Sequence, residues 1–310
     1  MKDSQAAKRF FFFGYGYTSE YLMHALREEG GWSFAGTTRD PEKKMQMQDE
    51  GVDSYIFNRE IPLGDVRGFM QDATHLLIST PPDDSGDPAF GLHGEDIAHM
   101  EGLQWIGYLS STAVYGDRAG GWVDENSELR PTSRRGSRRE RAEAQWLSLY
   151  HDYNLPMHVF RLAGIYGPGR SALDSVRAGT ARRIDKPGQA FSRIHIDDIV
   201  AVLRASMERP HPGHVYNVAD DEAAPSQKLI AAACEMLGLP VPPLIPYDQA
   251  DLAPITRSFY ADNKRINNER IKTELGVILK HPDFHSGLQA CLEAEKLYGI
   301  KAAFSDSSEG

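Results

Sequence analysis

The stretch Lys8-Arg9-Phe10-Phe11-Phe12-Phe13-Gly14-Tyr15-Gly16-Tyr17-Thr18-Ser19 decides the fold. Four consecutive Phe ended by a glycine read as a strand buried on both faces, as in a parallel sheet. Beyond the glycines, Leu22, Ala25 and Leu26 recur at helical spacing, with Gly30 and Gly31 as the stop. Strand, glycine turn and helix in that order form the setting of a dinucleotide fingerprint. Gly14 allows the tight turn, and Gly16 lets the backbone approach a pyrophosphate. The N–H groups of Tyr15, Tyr17, Thr18 and Ser19 lie at the positive end of the helix. The usual third glycine, which serves close helix–strand packing, is Ser19 here, the next-smallest tolerable residue. The competing reading is a glycine turn with no ligand.

Working outward, Trp32–Thr37, Ser54–Phe57, His75–Ser79, Trp105–Leu109 and Met157–Leu162 read as further strands. A long amphipathic helix carries Ala142, Trp146, Leu149 and Tyr150 between the last two. Strands alternating with helices predict an α/β protein with a Rossmann-type, doubly wound parallel sheet. Past Gly167 the pattern changes, and residues 167–193 show no clear strand period. Ile196, Ile199, Val200 and Leu203 form another apolar stripe, and Val215–Val218 reads as a last short strand. Pro225 opens a helix with Leu229, Ala233 and Met236 that stops at Gly238. Helical segments near Ile266–Leu275 and Leu288–Leu297 complete the chain. The expected layout is a dinucleotide-binding domain over 1–166, joined by about 194–220, and a smaller, mostly helical C-terminal cap over 167–193 and 221–302. Residues 1–7 and 303–310 read as polar tails.

The chain has 310 residues, 34 Lys and Arg against 44 Asp and Glu, and a formal net charge of −10. An acidic balance argues against nucleic acid or an anionic membrane as partner. No apolar run approaches the roughly 20 residues of a membrane span or the roughly 7–15 of a signal peptide. Cys234 and Cys291, far apart, make neither a disulfide framework nor a metal site, so a reducing cytoplasm is the default location. Ten of the histidines show no metal-ligand spacing, and both cysteines read as small core residues.

The end of the second strand bears on which dinucleotide is used. An NAD reader places Asp or Glu there for the ribose 2′-OH. This strand ends Gly36-Thr37-Thr38-Arg39, with no carboxylate before Asp40. Arg offers a fork to a 2′-phosphate, which a carboxylate would repel. The expectation is NADP(H) in preference to NAD(H), with Arg39 and Thr38 as ligands. The alternative is a solvated Arg39.

Five further segments carry a resemblance. They are Ser110-Ser111-Thr112-Ala113-Val114-Tyr115-Gly116, Asp124-Glu125-Asn126 with Pro131, Arg161 with Ile165-Tyr166-Gly167-Pro168-Gly169, Ile194-His195-Ile196-Asp197-Asp198, and Tyr216-Asn217-Val218. In order and spacing they resemble the extended short-chain dehydrogenase/reductase family, its epimerase/dehydratase-like branch. The resemblance runs from residue 10 to about 220, and loosens in the C-terminal portion. It implies Ser111 as the catalytic Ser, and Ser79, Thr80 and Pro81 as further cofactor contacts. It also implies a Tyr-x-x-x-Lys pair at the next helix start. That stretch reads Pro131-Thr132-Ser133-Arg134-Arg135-Gly136-Ser137-Arg138-Arg139, so Arg135 stands at the Tyr place and Arg139 at the Lys place. An Arg pKa stays above about 12, so Arg135 cannot exchange a proton near neutral pH. The chain thus resembles the atypical branch, which keeps the fold and loses the standard site.

Tyr115, Tyr166 and His195 are the candidate replacement acid/bases, although each belongs to a motif whose usual role is structural. Arg139 remains a candidate for the nicotinamide ribose. Residues 134–141 hold five Arg in eight positions. One reading is a solvated helix start with Arg139 and Glu143 paired at i, i+4. The other is an anion site for a phosphorylated or carboxylated substrate. Two functions follow: an NADP(H)-dependent oxidoreductase or epimerase-like enzyme on a polar, anionic small molecule such as a nucleotide sugar, or a non-catalytic NADP(H)-binding redox sensor.

Overall fold

The computed structural model describes residues 8–298; the polar tails expected at 1–7 and 303–310 lie outside them. In chain order, β1 (Lys8–Phe13), α1 (Tyr17–Glu29), β2 (Trp32–Thr38), α2 (Pro41–Asp49) and β3 (Asp53–Ile56) open the fold. A short α3 (Val66–Phe69), β4 (Ala73–Ile78), α4 (Pro88–Ala98) and β5 (Trp105–Ser111) follow. Next come β6 (Trp122–Val123), the 20-residue α5 (Arg134–Tyr153), β7 (Met157–Leu162) and β8 (Gly164–Tyr166). Then α6 (Ala172–Arg177), β9 (Arg183–Asp185), β10 (Arg193–His195), α7 (Ile196–Glu208) and β11 (Val215–Val218) lead to α8 (Ser226–Leu237). Finally β12 (Leu244–Pro246), α9 (Pro254–Phe259), β13 (Arg265–Ile266), α10 (Glu269–Thr273) and α11 (Phe284–Tyr298) complete the described chain.

Seven strands form one sheet in the order β3-β2-β1-β4-β5-β7-β11. β1 runs parallel to both β2 and β4, and β2–β3 and β4–β5 are also parallel. The order reverses between β1 and β4, so a crevice opens at the carboxyl ends of those two strands. The four Phe of β1 explain why it is central. Phe10 and Phe12 stack at 4.4 Å on one face, Phe10 near Trp32, His75 and Trp105. Phe11 and Phe13 fill the other face, Phe13 meeting Phe57 and His93. All four are fully buried, each contributing about 2–3 kcal/mol of transfer free energy.

The chain divides into two compact units. Among the described residues, the first contains residues 8–114, Ser133–Arg161 and Val200–Tyr216; the second contains Tyr115–Thr132, Leu162–Ile199 and residues 217–298. The second unit packs Tyr166, Leu173, Ala233, Cys234, Phe284, Leu288 and Cys291 into its own core. It adds three two-stranded parallel ladders, β8 with β10, β9 with β12 and β6 with β13.

Several elements differ from the sequence reading. Residues 167–193 hold α6, set by a capping box between Ser171 and Asp174, and then β9. Of the helical span expected at Ile266–Leu275, only Glu269–Thr273 is helix, because Arg265 and Ile266 pair with β6. α2 and α4 were missed although each opens on Asp-Pro: Asp40 and Asp87 cap the first turn and a Pro follows at its start. Among the described residues no helix is long and apolar enough to cross a membrane.

His75 and His158 are buried within the first unit. Burial pushes His75 and His158 from 6.5 down to about 4, although His75 bonds the Thr74 hydroxyl and His158 the Ile106 carbonyl. A folded pKa below the unfolded one gives stability that is full above pH 6.5 and lost as pH falls toward 4. Each histidine is therefore expected to remove about 3 kcal/mol of unfolding free energy across that window. Urea titrations followed by the buried Trp105 and Trp146 at pH 7 and pH 4.5 check this; an unchanged midpoint refutes it.

Candidate functional site

The turn after β1 is fixed by three hydroxyl side chains. The Gly14 N–H donates to Thr37 Oγ1 at 2.9 Å, while Ser19 Oγ and Ser79 Oγ donate to the Gly14 carbonyl at 2.9 and 2.7 Å. Ser19 thus occupies the third-glycine place and adds a bond that glycine lacks. Gly14 has φ +90°, and a Cβ there would lie 2.8 Å from Ser79 Oγ and 3.2 Å from the Thr80 nitrogen. Tyr15 donates its N–H to the Thr37 carbonyl and packs edge-on against Phe12, buried.

Gly16 is the N-cap of α1 and brings no side chain to bond the first-turn N–H groups. No atom lies within 4 Å of the position its Cβ would take. Open space above uncapped helix N–H groups is what an anionic diphosphate requires, so this turn fits one. Thr18 is buried, and Tyr17, partly exposed, packs tilted against Tyr21 with ring centroids 4.8 Å apart. The same turn holds a buried carboxylate, Glu20, that would repel an anion. Lys43 of α2 neutralises it at 2.7 Å, a pairing the sequence reading missed because 23 residues separate the partners.

At the end of β2, Thr38 Oγ1 accepts the Asp40 N–H at 3.2 Å, and Asp40 accepts the Glu42 N–H at 2.8 Å. The first carboxylate beyond the strand is therefore engaged as a helix cap. Arg39 is exposed and has no hydrogen-bond or ion-pair partner among the described residues.

Ser79 tightens the Gly14 turn, Thr80 is buried against Asp87, and Pro81 leads into the loop before α4. From α5, Arg139 Nη1 reaches back to β5, donating to the Leu109 carbonyl at 2.7 Å and the Tyr108 hydroxyl at 3.2 Å. Burial pushes the Tyr108 phenol up. Burial also raises the Asp87 carboxyl, against a downward pull that includes Arg139. Ser111 is half-buried, and its Oγ accepts the Ala113 N–H at 3.2 Å.

The expected Arg139–Glu143 pair does not form. Glu143 is buried and takes Arg161 of β7, with Arg161 Nη2 at 2.8 Å and Nε at 3.1 Å, and also accepts from Ser110. Two neutralised charges and a hydroxyl inside the sheet side of α5 outcompete a solvent-facing i, i+4 pair. The arginine cluster is also partly neutralised. Asp84 pairs with Arg134 and Arg138 through its carboxylate and with Arg141 through its carbonyl. Arg135 is exposed in the first turn of α5.

The remaining candidates belong to the second unit, and each has a local explanation. Tyr115 is fully buried and donates to Asn217 Oδ1 at 2.7 Å. Tyr166 is buried with its phenol pushed up by desolvation. His195 is 1% exposed, accepts the Asp197 N–H at Nδ1, and lies 3.6 Å from Cys291 Sγ at Nε2. Desolvation holds it down at about 3, so it stays neutral at any working pH. His281, 86 residues away in sequence, packs tilted against it with ring centroids 4.1 Å apart, and the two lie with Asp197 within reach of one ion. Asp197 already bonds both His281 and Lys280, at 3.1 and 2.8 Å.

No family model matches the chain. A solved structure of a conserved protein of unknown function from Silicibacter pomeroyi is 49% identical, with TM-score 0.85, covering 93% of this chain and 99% of that one. Protein YeeZ of Escherichia coli is 29% identical over 283 residues, 87% of this chain and 95% of that protein. The dTDP-glucose 4,6-dehydratase of Bacillus anthracis, solved in complex with NAD, has TM-score 0.73 at 16% identity and covers 94% of this chain and 97% of that one.

The Glu20–Lys43 pair gives a direct test. Lys43→Met strands a buried carboxylate and is expected to lower stability by on the order of 3 kcal/mol. The double variant Glu20→Gln/Lys43→Met should recover most of the loss. Chemical denaturation of both variants measures the coupling; a double variant as unstable as the single one refutes it.

Proposed function

We propose, from the premise that this chain belongs to the extended short-chain dehydrogenase/reductase superfamily, that it is an NADP(H)-dependent oxidoreductase of the atypical branch acting on a polar small molecule. The observation that carries the reading is the cradle at Gly14–Ser19, an uncapped helix start facing open space beneath a turn held by three hydroxyls. The diphosphate rests on the N–H groups of Tyr17, Thr18 and Ser19, those of Gly14 and Tyr15 being bonded to Thr37, with Glu20 neutralised by Lys43. Thr38 and Arg39 face the adenosine ribose, and Ser79, Thr80, Pro81 and Arg139 serve the nicotinamide end. Bound there, a reduced nicotinamide supplies a hydride.

Ser111 orients the reacting oxygen, its hydroxyl hydrogen having no acceptor among the described residues. Arg139, fixed to the end of the same strand, stabilises negative charge developing on that oxygen. Arg135 contributes charge and no proton. Tyr115, Tyr166 and His195, buried and committed to their own contacts, are not part of this reading. Asp84 engages three arginines of the cluster, which removes much of the support for a phosphate-binding patch there. The non-catalytic sensor has one observation in its favour, the Arg at position 135.

Preference for NADP(H) is supported by the exposed, unpartnered Arg39 and by the use of Asp40 as a cap. Arg39→Ala is expected to weaken NADPH binding by roughly 10–100-fold, the value of one to two charge-assisted bonds. NADH affinity should change less than about twofold, since no bidentate contact is lost. Fluorescence titration with both coenzymes measures this, and equal losses for the two would overturn the preference.

A further inference from the structure

We infer that Arg139 and Ser111 form a binding site for the oxygen of a delocalised oxyanion, and that the acceptors reduced here are quinone-type conjugated carbonyls rather than simple ketones. The inference rests on the dinucleotide reading above and adds the substrate class to it.

The starting point is how Arg139 is held. Its Nη1 is fixed between the Leu109 carbonyl and the Tyr108 hydroxyl, 2.7 and 3.2 Å away. Its Nε and Nη2 donors have no partner among the described residues, and neither atom is a buried orphan. The guanidinium is therefore immobilised by one edge and offers the other. Ser111 lies two residues beyond Leu109 on β5, about 7 Å along the strand. It is half-buried, and its hydroxyl hydrogen has no acceptor there. A tethered cation and a free O–H at the end of one strand are two donors that together would hold an anionic oxygen.

The chemistry then selects the acceptor. Hydride addition to a simple ketone leaves an alkoxide, whose conjugate acid is about as weak as water. That product needs a proton delivered as it forms, the task of a general acid. Position 135 holds a guanidinium, a group too basic to deliver one. A quinone that accepts a hydride, meaning two electrons and one proton, becomes a hydroquinone monoanion. The nicotinamide leaves as its oxidised cation, and the second proton comes from water after release. That anion is a phenolate, with a conjugate acid near 10, so fixed positive charge suffices to hold it. A step held by fixed positive charge and a neutral hydroxyl uses no protein general acid, so its rate should vary little with pH.

The test begins without turnover. 4-Nitrophenol absorbs differently as phenol and phenolate, so its titration when bound reports the site. Wild-type protein carrying NADP⁺ is expected to lower the bound phenol's apparent pKa by at least about one unit, tenfold in proton affinity. Arg139→Met should abolish the shift, Ser111→Ala should reduce it, and Arg139→Lys should keep part of it. NADPH consumption with benzoquinone should then exceed that with cyclohexanone and vary less than about twofold from pH 6.5 to 9. If the phenol titrates as in water while NADP⁺ binds, or if cyclohexanone is reduced with a titrating profile, the oxyanion site is overturned and the dinucleotide reading stands. If neither NADP⁺ nor NADPH changes the protein's fluorescence, both fall together.

Discussion

The Gly14 turn is the constraint on which the rest depends. Its amide and carbonyl are bonded by hydroxyls from β2, from α1 and from the end of β4. Three elements are thereby registered against one peptide unit at the point where the strand order reverses. A residue larger than glycine would push on Ser79 and on the Thr80 backbone together, so the turn and the neighbouring strand end must change as one. The aromatic layers of Phe10 to Phe13 hold β1 rigid behind it.

Around the start of α5 the charged side chains divide between the sheet side and the outer side of the helix. Glu143, four residues after Arg139, turns inward to Arg161 and Ser110, leaving Arg139 to the end of β5. Removing one partner of that buried set would strand a charge, which is why such networks persist as units. On the outer side Asp84 gathers three arginines onto the loop before α4. These ion pairs are exposed and screened by salt, so their part is orientation more than stability.

Much of this was legible in the sequence because it is local. The Phe run, the glycine turn and the periodic helices announce β1, α1 and the parallel sheet, and the spacing of five motifs announces the family fold. What stayed hidden is what sequence distance conceals. Lys43 meets Glu20, Asp84 meets Arg134, and His281 meets His195 only after folding. The Arg139–Glu143 expectation went astray for the same reason: helical spacing allowed the pair, but Arg161 lay 18 residues further on and nearer the buried carboxylate. α2 and α4 went unread because their sequences are short and weakly periodic, although Asp40-Pro41 and Asp87-Pro88 mark their starts.

Asp40 has a mechanical reach beyond its own loop. Its carboxylate starts α2, α2 carries Lys43, and Lys43 neutralises Glu20 beneath the glycine turn. The tip of β2 is thus continuous, through one short helix, with the charge balance of α1. Loosening the first turn of α2 would withdraw a cation from a buried carboxylate on another helix.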